Sequence, residues 1–198
     1  MDTMPRLHTK IIRSPPPPAC KQARFSEVLA FWQGASAKWF ARDARFDGAF
    51  RDRFLALHLE VAARRHDDWL DTAEGTLALL ILTDQFPRNA FRGNGHMYAT
   101  DPLARYYGGQ AEAAGHMDRV TPDLRLFFCL PFAHSEDLDD QDISVRLNAR
   151  LGQPWLSHAE GHRAIIRRFG RFPHRNPMLG RETTPAEARF LQGGGFRG

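Results

Sequence analysis

Apolar side chains return at helical spacing through most of this chain. Phe46, Phe50, Phe54, Leu57 and Val61 recur at intervals of four, four, three and four, which lines up one face of a long helix. Arg51, Arg53, Arg64 and Arg65 fall mostly outside that face. Before it, Ser26 reads as the cap of a helix carrying Val28, Leu29, Phe31 and Trp32. After it, Thr72 or Asp71 caps a helix running through Leu77, Leu80 and Ile81 to Gln85, with Pro87 as its stop. "ATDPLARYY" opens another helix, capped by Asp101 or Thr100, with Pro102 at the first helical position. "TPDLRLFFCL" repeats the device with Thr121 and Pro122. A further helix is predicted over 137–151, with Ile143 and Leu147 inward, ending near Gly152. Pro154 then starts one whose apolar side is Trp155, Ala159, Ile165, Ile166 and Phe169, ended by Gly170. Thr184, Pro185 and Glu187 stand in capping-box spacing for the last.

Valine, isoleucine and threonine are sparse, and no segment alternates as a strand would. The pattern therefore predicts an all-α chain of about eight helices with short connections, so that neighbours pack as antiparallel pairs. No strict internal period shows a regular repeat array. Residues 1–22 read differently. "SPPPPACKQ" carries four prolines that fix φ and lack an N–H, so this stretch is expected to be a disordered proline-rich tail, with 23–198 forming a single domain.

Composition narrows the partners. The longest apolar run, Leu77–Leu82, ends at Asp84 and falls far short of the roughly 20 residues of a membrane span. The N-terminus has no apolar segment of a secretory signal. Two cysteines, Cys20 and Cys129, make no disulfide framework; Cys129 in its apolar stretch reads as a buried thiol, and a reducing cytoplasm fits. The cation is 24 arginines against 3 lysines, at a net charge of +4. Arginine favours bidentate contact with carboxylate or phosphate. The bases are mixed with acids and no nucleic-acid module is visible, so nucleic acid is not the expected partner. From Glu160 onward eight arginines face three acids, while Glu136–Asp142 holds five acids and no base; internal ion pairing between the two is the first expectation.

Candidate chemistry collects in three segments at helix ends: "DQFPRNAFRG" (84–93), "LPFAHSEDLDDQ" (130–141) and "FGRFPHRNPMLGRETTPAE" (169–187). The first and third share a motif, with Gln85-Phe86-Pro87-Arg88-Asn89 matching Arg171-Phe172-Pro173-His174-Arg175-Asn176. Phe anchors the turn, Pro stiffens it, and Arg and Asn project from a fixed frame, which lowers the entropy lost on binding an anion. Taken together, Arg88, Asn89, Arg92, His134, Arg171, His174, Arg175 and Asn176 form the candidate ligand-binding set, and His134, Glu136 and Asp84 the candidate acid–base set. Taken one turn at a time, the same residues are ordinary helix stops and caps. Ser135 could cap the helix that follows, and His134 alone is more often a hydrogen-bonded core histidine than a base. His158 and His162 stand four apart with Glu160 between, short of the three or four ligands a metal needs, so no metal is expected. No P-loop, dinucleotide fingerprint or nucleophile elbow appears, and no cofactor is expected.

These segments resemble a bacterial family, the domain of unknown function numbered 924, over about Phe25 to Leu191. The resemblance is carried by "WF" (39–40) with "FDGAFRDRF" (46–54), "LILTDQFPRNAFRG" (80–93), "ATDPLA" (99–104), "LPFAHSEDLDDQ" (130–141) and "HRAIIRRFGRFPHRNPMLGRETTPAE" (162–187). "FWQGASAKWF" stands where the family usually has a longer segment, so the first helix pair is expected to be compact. The resemblance implies an α-α superhelix similar to tetratricopeptide-repeat (TPR) proteins, with a concave groove of the kind that binds peptides or partner helices. It implies no activity.

The leading functional expectation is a binding module whose polar groove takes an anionic small molecule or an acidic peptide of a protein partner. In that reading Arg88 and Arg175 grip the anion, Asn89 and Asn176 orient it, and His134 and His174 donate to it. The alternative is a hydrolase with His134 as base, oriented by Glu136 or Asp84, and arginines stabilising the developing anion. It requires His134 within hydrogen-bond reach of an acid, facing an open cleft beside Arg88 or Arg175. The second alternative makes the arginine–acid set a purely structural network in a protein-interaction scaffold.

Overall fold

A computed structural model of the chain describes residues 18–198, and their side chains from Lys21 onward. The helices are α1 (Pro18–Gly34), α2 (Ala44–Ala62), α3 (Ala73–Leu80), α4 (Phe86–Ala90), α5 (Asp101–Ala113), α6 (Leu126–Ala133), α7 (Leu138–Leu151), α8 (Trp155–Phe169) and α9 (Pro185–Gln192). A π-helical turn, Ile81–Gln85, joins α3 and α4 into one continuous helix. Counted so, there are eight helices and no strand among the described residues, as the periodicity predicts.

The predicted faces and caps largely hold. Phe46, Phe50, Phe54, Leu57 and Val61 are all buried on α2. Thr72 accepts from the N–H of Gly75 at 3.0 Å, Gly170 ends α8 in the left-handed region at φ 70°, and Thr184 and Glu187 form the reciprocal capping box of α9. Five expectations need correcting. α1 begins at Pro18, within the stretch expected to be tail, because a proline in the first turn gives up an N–H that has no intrahelical partner anyway. Residues 1–17 of that stretch lie outside the described residues. Ser26 sits inside α1 rather than at its cap. Asp137, not Ser135, caps α7 through Asp139 N–H at 2.8 Å, while Ser135 donates to Asp140 at 2.6 Å. After Thr121 and Pro122 comes a short 3-10 turn, and α6 starts only at Leu126.

The fifth correction concerns Pro87, which does not stop its helix. In α or π register it would owe an N–H to the carbonyl of Thr83 or Leu82, and proline has none. Side chains supply the donors instead. His58 Nδ1 lies 2.8 Å from Leu82 O, Thr100 Oγ1 donates to Thr83 O at 2.6 Å, and Arg88 Nη1 donates to Asp84 O at 2.8 Å. With these carbonyls satisfied the helix runs on through the proline.

The main core is aromatic. Trp32 packs at 5.4 Å against both Phe50 and Phe127, and Phe50 at 5.1 Å against Phe86. α1 packs on α3, α2 on α4, and α7 between α6 and α8. A smaller core of Ile165, Ile166 and Phe172 lies under α8 and α9. Cys129 is buried and free, and burial pushes its thiol up to about 12. No helix among the described residues is long and apolar enough to cross a membrane.

Candidate functional site

The π turn delivers Asp84 into the interior, where its side chain is only 2% exposed. Three donors meet it: Gln85 Nε2 at 2.6 Å, Arg88 Nη1 at 3.0 Å and His134 Nδ1 at 2.8 Å. Arg88 then bridges to Asp101 with both terminal nitrogens, at 2.8 and 3.1 Å. Arg175 arrives from the turn after α8. Its Nη1 lies 3.5 Å from Asp101, its Nη2 donates to the carbonyl of His134 at 2.9 Å, and its guanidinium is held against the rings of Tyr98 and Phe172 at 4.6 and 4.7 Å. All three sequence segments thus contribute to a single buried cluster.

Electrostatics assign the protons. Burial opposes a charge on Asp84, but Arg88 and His134 outweigh it and hold the carboxyl below the usual range. Burial, then Arg88, push the His134 pKa down against the pull of Asp84, so the ring is neutral near pH 7. An ionised Asp84 accepts the Nδ1 proton, which leaves Nε2 with its lone pair. Among the described residues the ring's hydrogen bond is made through Nδ1 and none through Nε2, and the ring is 19% exposed. Burial also lowers the Arg175 pKa, with Arg88 adding to it. Arg175 Nε is buried without a partner, so this cation is the least compensated of the cluster.

The remaining candidates are held elsewhere. Asn89 and Arg92 both bind Asp47 in the first turn of α2, at 2.7 Å for Asn89 and 2.8 and 3.2 Å for Arg92. Arg171 and Asn176 both bind Glu187 in the first turn of α9, at 2.6 and 2.9 Å for Arg171 and 3.3 Å for Asn176. Glu136 is held by Arg181 at 2.6 and 3.0 Å and accepts from Phe172 N–H at 2.8 Å, so Asp84 rather than Glu136 is the acid on His134. His174 packs against Phe172 and Phe196. The expected pairing of the basic C-terminal third with the acidic segment is present in Arg181–Glu136 and in Arg163–Asp142 at 2.8 Å. No three metal-ligating side chains gather among the described residues.

Two members of the cluster were missed from sequence. Asp101 reads there only as a helix cap, yet it is the shared anion of Arg88 and Arg175. Tyr98 carries no sequence signal beyond being an aromatic residue before a helix start.

The family described as "Bacterial protein of unknown function (DUF924)" matches residues 28–195. A solved structure of a protein of unknown function from Agrobacterium tumefaciens is 51% identical, superposes with a TM-score of 0.85, and aligns over 87% of this chain and 99% of that one. No curated protein matches.

Proposed function

We propose that this chain, which belongs to the bacterial family of unknown function DUF924, is a hydrolase-type enzyme in which His134 activates water against an anionic substrate. The observation that carries this reading is the Asp84–His134 contact of 2.8 Å with the second ring nitrogen left free. A carboxylate that fixes the tautomer and orientation of an imidazole prepares the other nitrogen as a base. A π turn supports it as well, since such turns recur at functional sites. Glu136 has no part in this reading.

In the step proposed, a water oxygen attacks an electrophilic carbonyl or phosphoryl centre while its proton passes to His134 Nε2. Asp84 stabilises the imidazolium. The negative charge that develops on the substrate is met by Arg175, whose Nη2 is held on the carbonyl of His134. The imidazolium then returns its proton to the leaving group. Arg88 spends its donors on Asp84 and Asp101, so the anion-gripping role expected of two arginines narrows to Arg175.

The test is a hydrolysis screen with p-nitrophenyl carboxylate and phosphate esters. Turnover by the wild type should fall by about 100-fold or more in His134→Gln, with a pH profile whose acid limb lies below 6.5, the ordinary value for histidine. Arg175→Gln should lower kcat/KM for the anionic ester class. No turnover of either class, or equal turnover by His134→Gln, would sink the reading.

A further inference from the structure

A groove of about 390 Å³ runs along α8 beneath α9 and the chain that follows it, a volume in the range of small-molecule sites. Its floor is bare backbone, since nothing lies within 4 Å of where a Cβ would stand on Gly161. Phe190 and Phe196 form apolar walls, and the ring of Phe196 lies tilted 4.6 Å from that of His162. Arg168 stands at the groove with its guanidinium 4.8 Å from Phe169 and 5.8 Å from Phe190.

Two polar groups here lack partners. Arg163 and Arg167, on the same helix, both reach Asp142, whereas Arg168 meets no carboxylate among the described residues. His162 Nδ1 is buried without a hydrogen bond, and burial pushes that ring down to about 3, so it is neutral. No acid lines the groove. A cation, an unpartnered imidazole nitrogen and two aromatic walls match a flat apolar body that ends in a carboxylate.

We propose that this groove binds a small aromatic carboxylate, its ring between Phe190 and Phe196 and its carboxylate on Arg168. None of Asp84, His134 or Arg175 lines the groove, so the site is independent of the hydrolytic reading.

The experiment is an NMR titration of the full chain with phenylacetate and with its uncharged partner phenylacetamide. Phenylacetate should give saturable shifts at the Gly161 and Arg168 amides, with the amide at least about tenfold weaker, as loss of a charge-assisted hydrogen bond requires. Arg168→Gln should bring the acid down to the affinity of the amide. Gly161→Leu, which fills the groove while improving helix propensity, should abolish binding of both. His134→Gln should leave binding intact, which separates this site from the hydrolytic one. Equal affinity for acid and amide, undiminished binding in Gly161→Leu, or no saturable shift from either probe would overturn the proposal.

Discussion

The two look-alike turns, 85–89 and 171–176, solve one task with different backbones. In both, the phenylalanine is an anchor in the core, Phe86 fully buried and Phe172 nearly so. In both, the asparagine and a nearby arginine hold an acid in the first turn of another helix. Asn89 and Arg92 hold Asp47 of α2, and Asn176 and Arg171 hold Glu187 of α9. In both, the remaining arginine goes to Asp101. Yet the first turn lies within a helix that passes through its proline by way of a π turn, while the second is a 3-10 turn between helices. The shared motif therefore specifies contacts, and the side-chain donors that satisfy the freed carbonyls let the first helix continue. Only the first turn is preceded by an acid that reaches His134, and there the likeness in sequence stops short of likeness in chemistry.

The sharpest way to break the likeness is at the anion both turns share. Asp101→Ala leaves Arg88 and Arg175 facing each other inside the protein, and should cost about 3–5 kcal/mol of unfolding free energy, read by urea denaturation. Next come the matched asparagines. Asn89→Ala and Asn176→Ala should each cost about 1–3 kcal/mol, because each removes a donor from a carboxylate in the first turn of another helix. Closely similar losses would show that the turns are equivalent supports. A neutral result at one would show that its partner arginine suffices.

The third test separates the turns by pH. Burial holds His174, in the second turn, down to about 4, and its neighbour His162 down to about 3, from the ordinary 6.5. Below pH 6.5 the unfolded chain takes up protons that the folded rings refuse. Stability should therefore fall with pH by about 1.4 kcal/mol per unit for each ring until its own folded pKa is reached. His174→Gln should flatten that acid limb, whereas Asn89→Ala in the first turn should leave its slope unchanged. The smallest expected effect is Thr184→Ala, about 1 kcal/mol from loss of the α9 cap.

Helix content was legible because burial imposes a period. The α2 face, the Thr72 cap and the Thr184–Glu187 box all rest on residues within a turn or two of one another. Pro87 misled because its rescue lies far along the chain, in His58 and Thr100, and no local rule contains them. The site was legible in residue type but not in partnership. His134 and Asp84 are fifty residues apart, and His134 is two residues from a glutamate that goes instead to Arg181. Asp101 was hidden for a related reason: a residue before a helix-starting proline already has a sufficient local explanation, and its buried ion pairs are set by how α4, α5 and the 3-10 turn converge.

The π turn is also a phase slip. One extra residue in a helical turn shifts every later position by about 100° around the axis. Phe86, Asn89 and Arg92 therefore point where they do because the count of residues before them is one more than a regular helix would use. Deleting any one residue from 81–85 would restore the regular count and swing Asn89 and Arg92 off Asp47. The identity of every downstream side chain would be kept while its address changed. In this stretch chain length is as strict a constraint as chemistry, and substitutions should be tolerated far better than single-residue deletions.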